Sequence, residues 1–222
     1  MAEVFLNETT GLLILKKNNR WRVMNFYVPP EYMLPTESKV WHLLHMMKER
    51  DKQTYLHSVS VASLAYHIAE GVPEVDKHLV YCSGLLHDIG KLFIPHNVLY
   101  KAEALTDAEF DTIKKHVDYG VKLLSDDAAF AAYLPIVAHH HEREDGAGYP
   151  NRVAGDKIPI ESKIISIADT FDAITGHRVY RAQGSVEYAL REIKNNGGSQ
   201  FDKHLVEILI DYINKQQPSV AL

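Results

Sequence analysis

The stretch Leu56-His57-Ser58-Val59-Ser60-Val61-Ala62-Ser63-Leu64-Ala65-Tyr66-His67-Ile68-Ala69 decides the fold class. His57 shares a stripe with Val61, Leu64 and Ile68 at offsets of four, seven and eleven, which is helical rather than extended spacing. An apolar stripe faces a core, so His57 points inward and needs a partner there. The same spacing runs from beyond Pro35 nearly to the end of the chain, which predicts an all-α body. One helix is expected to start at the capping box Thr106-Asp107-Ala108-Glu109 and run through Ile113, Val117 and Leu124. Another is expected over about Leu79 to Asp88, stopping at Gly90. Asp145-Gly146-Ala147-Gly148-Tyr149-Pro150 cannot continue a helix and reads as an ordered loop.

Ahead of this body, Leu12 to Lys16 and Trp21 to Val28 are apolar and aromatic around the polar Lys17-Asn18-Asn19-Arg20, the pattern of a β-hairpin. Pro29-Pro30 ends it, and a hairpin so small is marginal alone. The expected division is therefore a small hairpin segment over residues 1–35 and a helical catalytic body over residues 36–222.

The 222 residues are 46% hydrophobic and 24% charged, an ordinary globular composition that suits one sizeable domain with an appendage. Lys+Arg 24 against Asp+Glu 29 leaves a net charge of −5, which argues against a polymeric nucleic acid partner held by counterion release. A small phosphorylated ligand fits that charge. The single cysteine, Cys82, reads as a small core residue rather than redox chemistry. The apolar stretch from Ala128 to Ala138 falls short of the ~20 residues of a membrane helix and contains Pro135, so no membrane span is expected. Met1-Ala2-Glu3-Val4 lacks an export signal's basic flank and apolar run, which makes the cytoplasm the expected compartment.

Thirteen histidines are the anomaly. His116 follows Ile113 by three and precedes Gly120 by four, and Asp169 lies four from both Ile165 and Ala173, so both sit on largely apolar stripes as His57 does. The adjacent pairs His87-Asp88 and His140-His141 add imidazole nitrogens and a carboxylate whose two oxygens can bridge two cations. Imidazole and carboxylate without thiolate suit divalent first-row metals in a two-metal centre better than a structural zinc site. Unrelated buried histidines are the alternative, and spacing alone leaves both open.

The segments Asp51-x-x-Thr54-x-x-His57, Leu85-Leu86-His87-Asp88-Ile89-Gly90-Lys91, His140-His141-Glu142-Arg143-x-Asp145-Gly146-x-Gly148-Tyr149-Pro150, Ala168-Asp169-Thr170-Phe171-Asp172-Ala173 and Gln200-Phe201-Asp202 resemble the HD-GYP phosphodiesterases of the HD-domain metallohydrolase superfamily, over roughly Asp51 to Ile213. The resemblance implies an all-helical HD bundle. It implies two divalent metal ions, iron or manganese by family habit, one held by His57, His87, Asp88 and Asp169 and the other by His116, His140 and His141, with Asp88 shared. It further implies hydrolysis of cyclic di-GMP or a related cyclic dinucleotide to the linear form and onward to GMP in some relatives, by attack of a metal-bridging hydroxide on phosphorus. Lys91 would neutralise a phosphate oxygen and pair with Asp51 to deliver a proton to the leaving group, while Arg178 and Arg181 would grip phosphates. Tyr149 would frame the pocket and meet a guanine, or anchor the loop. The loop around it would also suit a diguanylate cyclase or another signalling protein, and the pattern leaves room for a homo-oligomer.

The chain departs from the family pattern at three places. Gln53 stands where some relatives carry a glutamate for a third metal, which favours two metals and leaves the end product open. His177 and Val179 replace an aspartate and a proline, and His96 another aspartate. His96, His139 and His177 read as structural residues. A different HD nucleotide phosphohydrolase, and a metal-retaining interaction module without turnover, are the competing functions.

Overall fold

In the computed structural model, the described residues are 3–7, 12–17, 20–26, 35–176 and 184–216. The body is all-α, as the stripes predict, and begins with α1 (Pro35–Arg50), α2 (Lys52–Ala69) and α3 (Lys77–Leu86). A 3₁₀ turn over Ile89–Phe93 leads to α4 (His96–Leu99), α5 (Asp107–Lys114) and α6 (His116–Ser125). Then come α7 (Leu134–His139), α8 (Ile160–Thr175), α9 (Val186–Asn195) and α10 (Lys203–Gln216).

Polar residues cap the starts of α2, α3, α5 and α9. The Asp51 carboxylate accepts from the Gln53 and Thr54 amides at the head of α2, Asp76 does the same for α3, and Ser185 for α9. The Thr106/Glu109 capping box forms as expected.

α2 is the axis of the body. Val61, Ala65 and Ile68 belong to one apolar cluster with Ile164, Ile165 and Ala168 of α8 and Leu205 and Leu209 of α10. Val59 and Ala62 belong to a second, with Leu44 of α1, Leu85 and Leu86 of α3, Leu124 of α6 and Val137 of α7. A helix buried on two faces needs small residues where neighbours cross closest, and an added Cβ at Gly84 of α3 would lie 2.7 Å from the Ala62 Cα. His57 sits in the first half of this axis, where the helices from both clusters meet.

The expected helix from Thr106 to Leu124 is in fact two. α5 ends at Lys114 and α6 begins at His116, with Lys115 between them in a tight turn whose amide bonds to the Thr112 carbonyl. The reason is tertiary. The 3₁₀ turn at Ile89–Phe93 packs onto the start of α6 so closely that a Cβ at Gly90 would fall 1.9 Å from the His116 carbonyl oxygen and 2.5 Å from the Gly120 nitrogen. α3 also stops earlier than expected, at Leu86, with His87 as its C-terminal cap and Gly90 inside the following turn. That exit turns His87 and Asp88 out of the helix and into the interior.

Ahead of the body, β2 (Leu12–Lys17) and β3 (Arg20–Phe26) pair antiparallel, the hairpin expected from the sequence. Tyr27 and Val28, expected to end its second strand, lie outside the described residues. A third strand, β1 (Glu3–Asn7), pairs antiparallel with β2, so the appendage is a three-stranded sheet in the order β1-β2-β3. Among the described residues, no helix is long and apolar enough to cross a membrane.

Candidate metal centre

Elements far apart in sequence deliver the expected donors to one interior point. Asp88, His116, His140 and His141 form one group, and His57, His87 and Asp88 another, each with its potential ligand atoms within 4.8 Å of one another. Asp169 of α8 joins the second group, its Oδ1 lying 3.0 Å from His57 Nε2. Asp88 stands between the groups, with Oδ2 3.4 Å from His57 Nε2 and 3.3 Å from His87 Nε2, and Oδ1 3.3 Å from His116 Nε2. His87, Asp88, His116 and His140 are at most 1% exposed.

The rings are aimed. The Nδ1 of His87 donates to the Gly84 carbonyl at 2.7 Å, that of His116 to Ile113 at 2.7 Å, and that of His140 to Val137 at 2.7 Å. A carbonyl can only accept, so each Nδ1 carries the proton and each Nε2 turns a lone pair inward. His116 Nε2 and His140 Nε2 consequently face each other at 3.3 Å, acceptor against acceptor. His87 Nε2 and Asp88 Oδ1 are buried without a hydrogen-bond partner. Buried acceptors turned on one another are costly unless something positive lies among them, and a divalent cation fits that demand.

The charges agree. Burial lowers His140 well below the ordinary histidine range, takes His141 down to about 3 against the pull of Asp169, and His116 to about 4 against that of Asp88. All three are neutral ligand-type imidazoles at neutral pH. Burial pushes Asp88 and Asp169 upward, yet Lys91 and His87 hold Asp88, and His57 holds Asp169, below the carboxylate range. His57 goes the other way: burial disfavours its charge, but Asp169, Asp172 and Asp88 raise it well above the usual value, so a proton occupies the space among carboxylates that a cation would take.

Asp172 is the residue that the sequence reading left without a role. Its Oδ2 accepts from His57 Nδ1 at 2.6 Å, orienting the ring so that Nε2 meets Asp88 and Asp169. The signal was present: Asp172 follows Asp169 by three, on the same face of α8.

The expected pair of Asp51 with Lys91 is absent. Both Asp51 oxygens are taken by the head of α2, Oδ1 by the Gln53 and Thr54 amides and Oδ2 by the Thr54 hydroxyl, and Oδ1 also accepts from the Tyr100 hydroxyl. Lys91 Nζ instead reaches Asp88 Oδ2 at 2.5 Å, an (i, i+3) approach along the 3₁₀ turn. Asp51, Gln53, His96 and Tyr100, with Arg50 and Lys52, line an open groove of about 500 Å³ beside the head of α2. His139 donates to the Pro135 carbonyl of its own helix. Arg178 and Arg181, like His177 and Val179, lie outside the described residues.

Tyr149 adjoins the centre directly, stacked on His141 with ring centroids 4.7 Å apart. Its loop is clamped by Gly148, where a Cβ would lie 2.5 Å from the Glu142 Cα and 2.6 Å from the His141 carbonyl oxygen. Only glycine permits that approach.

An all-α bundle that gathers histidines and aspartates from several helices around one shared carboxylate defines a class of metal-centred helical domains. The HD-domain family model matches residues 41–205, and the chain belongs to that family. It is 36% identical over 177 residues to a 3'3'-cGAMP-specific phosphodiesterase of Vibrio cholerae, covering 78% of this chain and 34% of that protein. It is 37% identical over 177 residues to a cyclic di-GMP phosphodiesterase of Thermotoga maritima, covering 78% of this chain and 48% of that one. The chain thus spans between a third and a half of these relatives. Among solved structures, an HDG"Y"P protein from Bdellovibrio bacteriovorus superposes with a TM-score of 0.62 at 18% identity, over 81% of this chain and 62% of that one, a likeness of fold.

Proposed function

We propose that the chain is a metal-dependent phosphodiesterase that opens cyclic di-GMP, or a related cyclic dinucleotide, by adding water across one P–O bond to leave a phosphomonoester and a free ribose hydroxyl. The carrying observation is the pair of donor groups that share Asp88. Relatives named as cyclic di-GMP and 3'3'-cGAMP phosphodiesterases supply the substrate class. His57, His87, Asp88 and Asp169 would hold one divalent cation, and His116, His140, His141 and Asp88 a second, with iron or manganese suiting the mixed imidazole and carboxylate set. When bound, such a pair acidifies water to a nucleophile and screens phosphate charge.

The chain's own residues do the rest. Carbonyl-anchored Nδ1 protons on His87, His116 and His140, and the Asp172 carboxylate on His57, lock the donor rings before any ligand arrives. Lys91, already drawn to Asp88, offers its ammonium to a phosphate oxygen. Of the two expected proton-handling groups it is the one in contact with Asp88, while Asp51 caps α2. Arg178 and Arg181 remain the proposed phosphate clamp. The Tyr149 loop is the face proposed for a signalling partner, and the compartment proposed is the cytoplasm.

The test is anaerobic purification with elemental analysis, then identification of the products formed from cyclic di-GMP, repeated with Asp88→Ala. Two divalent ions per chain and a linear dinucleotide are expected, both lost in the variant. Turnover that survives Asp88→Ala unchanged overturns the mechanism.

A further inference from the structure

A row of rings leads outward from the centre. Tyr149 lies on His141 with planes 27° from parallel, and Phe110 of α5 meets Tyr149 edge-on at 6.4 Å and 78°. Phe110 is 46% exposed. Lys114, one turn further along α5, holds Nζ 4.9 Å from the Phe110 ring centroid and 5.9 Å from that of Tyr149, while pairing with Asp111 at 2.6 Å. None of Phe110, Lys114 or Asp111 takes part in the chemistry assigned above.

We propose that this row is a nucleobase ledge, on which the outer face of Phe110 stacks a purine of the substrate while the phosphate lies at the donor groups. The inference rests on the phosphodiesterase reading and deepens it. The row begins on a donor ring, and two ring-to-ring steps of 4.7 and 6.4 Å lead from it to Phe110, so a ligand that engages both ends carries a phosphate and a base together. The occupant is therefore joined to a phosphate. An exposed aromatic face takes any purine, because every base presents a π surface. Lys114 holds its ammonium over the same two rings, complementary to an anionic ligand. The ledge is also preorganised. Gly148 fixes the Tyr149 loop against Glu142, and Tyr149 in turn backs Phe110, so stacking orders little that is not already ordered.

The test separates base from phosphate. Equilibrium dissociation constants are measured for cyclic di-GMP, and for inorganic phosphate as a base-free probe, on the metal-loaded wild-type chain and on Phe110→Ala and Phe110→Tyr, with turnover recorded alongside. Phe110→Ala should weaken the cyclic dinucleotide roughly tenfold, the loss expected for one stacked base, and leave phosphate within about twofold. Phe110→Tyr, which keeps the ring, should bind like wild type. An unchanged cyclic di-GMP constant in Phe110→Ala, an equal loss for phosphate, or no binding of cyclic di-GMP by the wild type overturns the ledge. Binding that depends on Phe110 with no turnover by the wild type upholds the ledge and defeats the phosphodiesterase reading instead. Retained turnover with Phe110-independent binding does the reverse.

Discussion

The two halves of the centre share Asp88, yet they handle protons in opposite ways. On one side His116, His140 and His141 face one another beside Asp88, with Asp169 also acting on His141, and burial drives all three toward the neutral form. On the other, Asp88, Asp169 and Asp172 surround His57 and hold it charged against the same burial. Desolvation sets the baseline, and the number of carboxylates in contact decides the outcome. The imidazole half is ready to donate lone pairs as it stands, whereas the acidic half must exchange a proton for a cation. It also offers that cation more negative charge. Unequal loading of the two halves follows.

The strongest way to break this contrast is Asp169→Asn. It removes the carboxylate that meets His57 Nε2, and should lower turnover of cyclic di-GMP by about a hundredfold or more while His116, His140 and Asp88 of the imidazole half still bind metal. A chelator titration followed by elemental analysis checks it: one of two release steps should disappear. Loss of both steps, or of neither, would show that the halves are not separable. Next comes Gly90→Ala, which strikes both halves through the backbone. The new methyl would collide with the His116 carbonyl, so the 3₁₀ turn carrying Asp88 must lift from α6. Overpacking of this kind costs about 1–3 kcal/mol or somewhat more, read as a lower denaturant midpoint at unchanged slope. Third, Asp172→Asn leaves every proposed ligand in place but weakens the brace on His57 Nδ1. Metal affinity of the acidic half alone should fall roughly 10–100-fold, the usual cost of losing a ligand's supporting carboxylate. A metal titration in which both binding steps move together would count against the division.

The donors were legible in the sequence because their chemistry is rare on apolar stripes: His57, His116 and Asp169 sat on core-facing positions, and His87-Asp88 and His140-His141 came as pairs. Their sorting into groups came from the family resemblance, since spacing alone says nothing of which donors share an ion. What stayed hidden depends on contacts between distant segments. Nothing in Ile113-Lys114-Lys115-His116 breaks a helix; the break arises because Gly90, twenty-six residues earlier, seats its turn against His116. Asp51 and Lys91 were paired by analogy, yet Tyr100 and the cap of α2 claim Asp51 and Asp88 claims Lys91. Glu3–Asn7 is too short and too polar at its ends to announce a strand before its partner is known.

The smallest effect tests how each half is supported from outside. His57 is braced from within by Asp172, whereas His116 follows α5, whose head is strapped at the surface. Glu109 takes Lys101 Nζ on both carboxylate oxygens at 2.8 and 2.7 Å, and its Oε2 also accepts from the Thr106 amide at 2.8 Å and the Thr106 hydroxyl at 3.0 Å. Lys101 first, then Thr106, hold this carboxyl down to about 2, against an ordinary value of 4.5. Because the folded value is depressed, the contribution is complete above the unfolded carboxylate's range and is lost as pH falls from about 4.5 through about 2. Glu109→Gln should therefore lower Tm slightly at pH 6–7, with the gap to wild type closing as acid is added and vanishing near pH 2. The strap is partly open to solvent, so salt should shrink the gap at neutral pH as well. A gap that stays constant with pH would assign the loss to packing rather than charge.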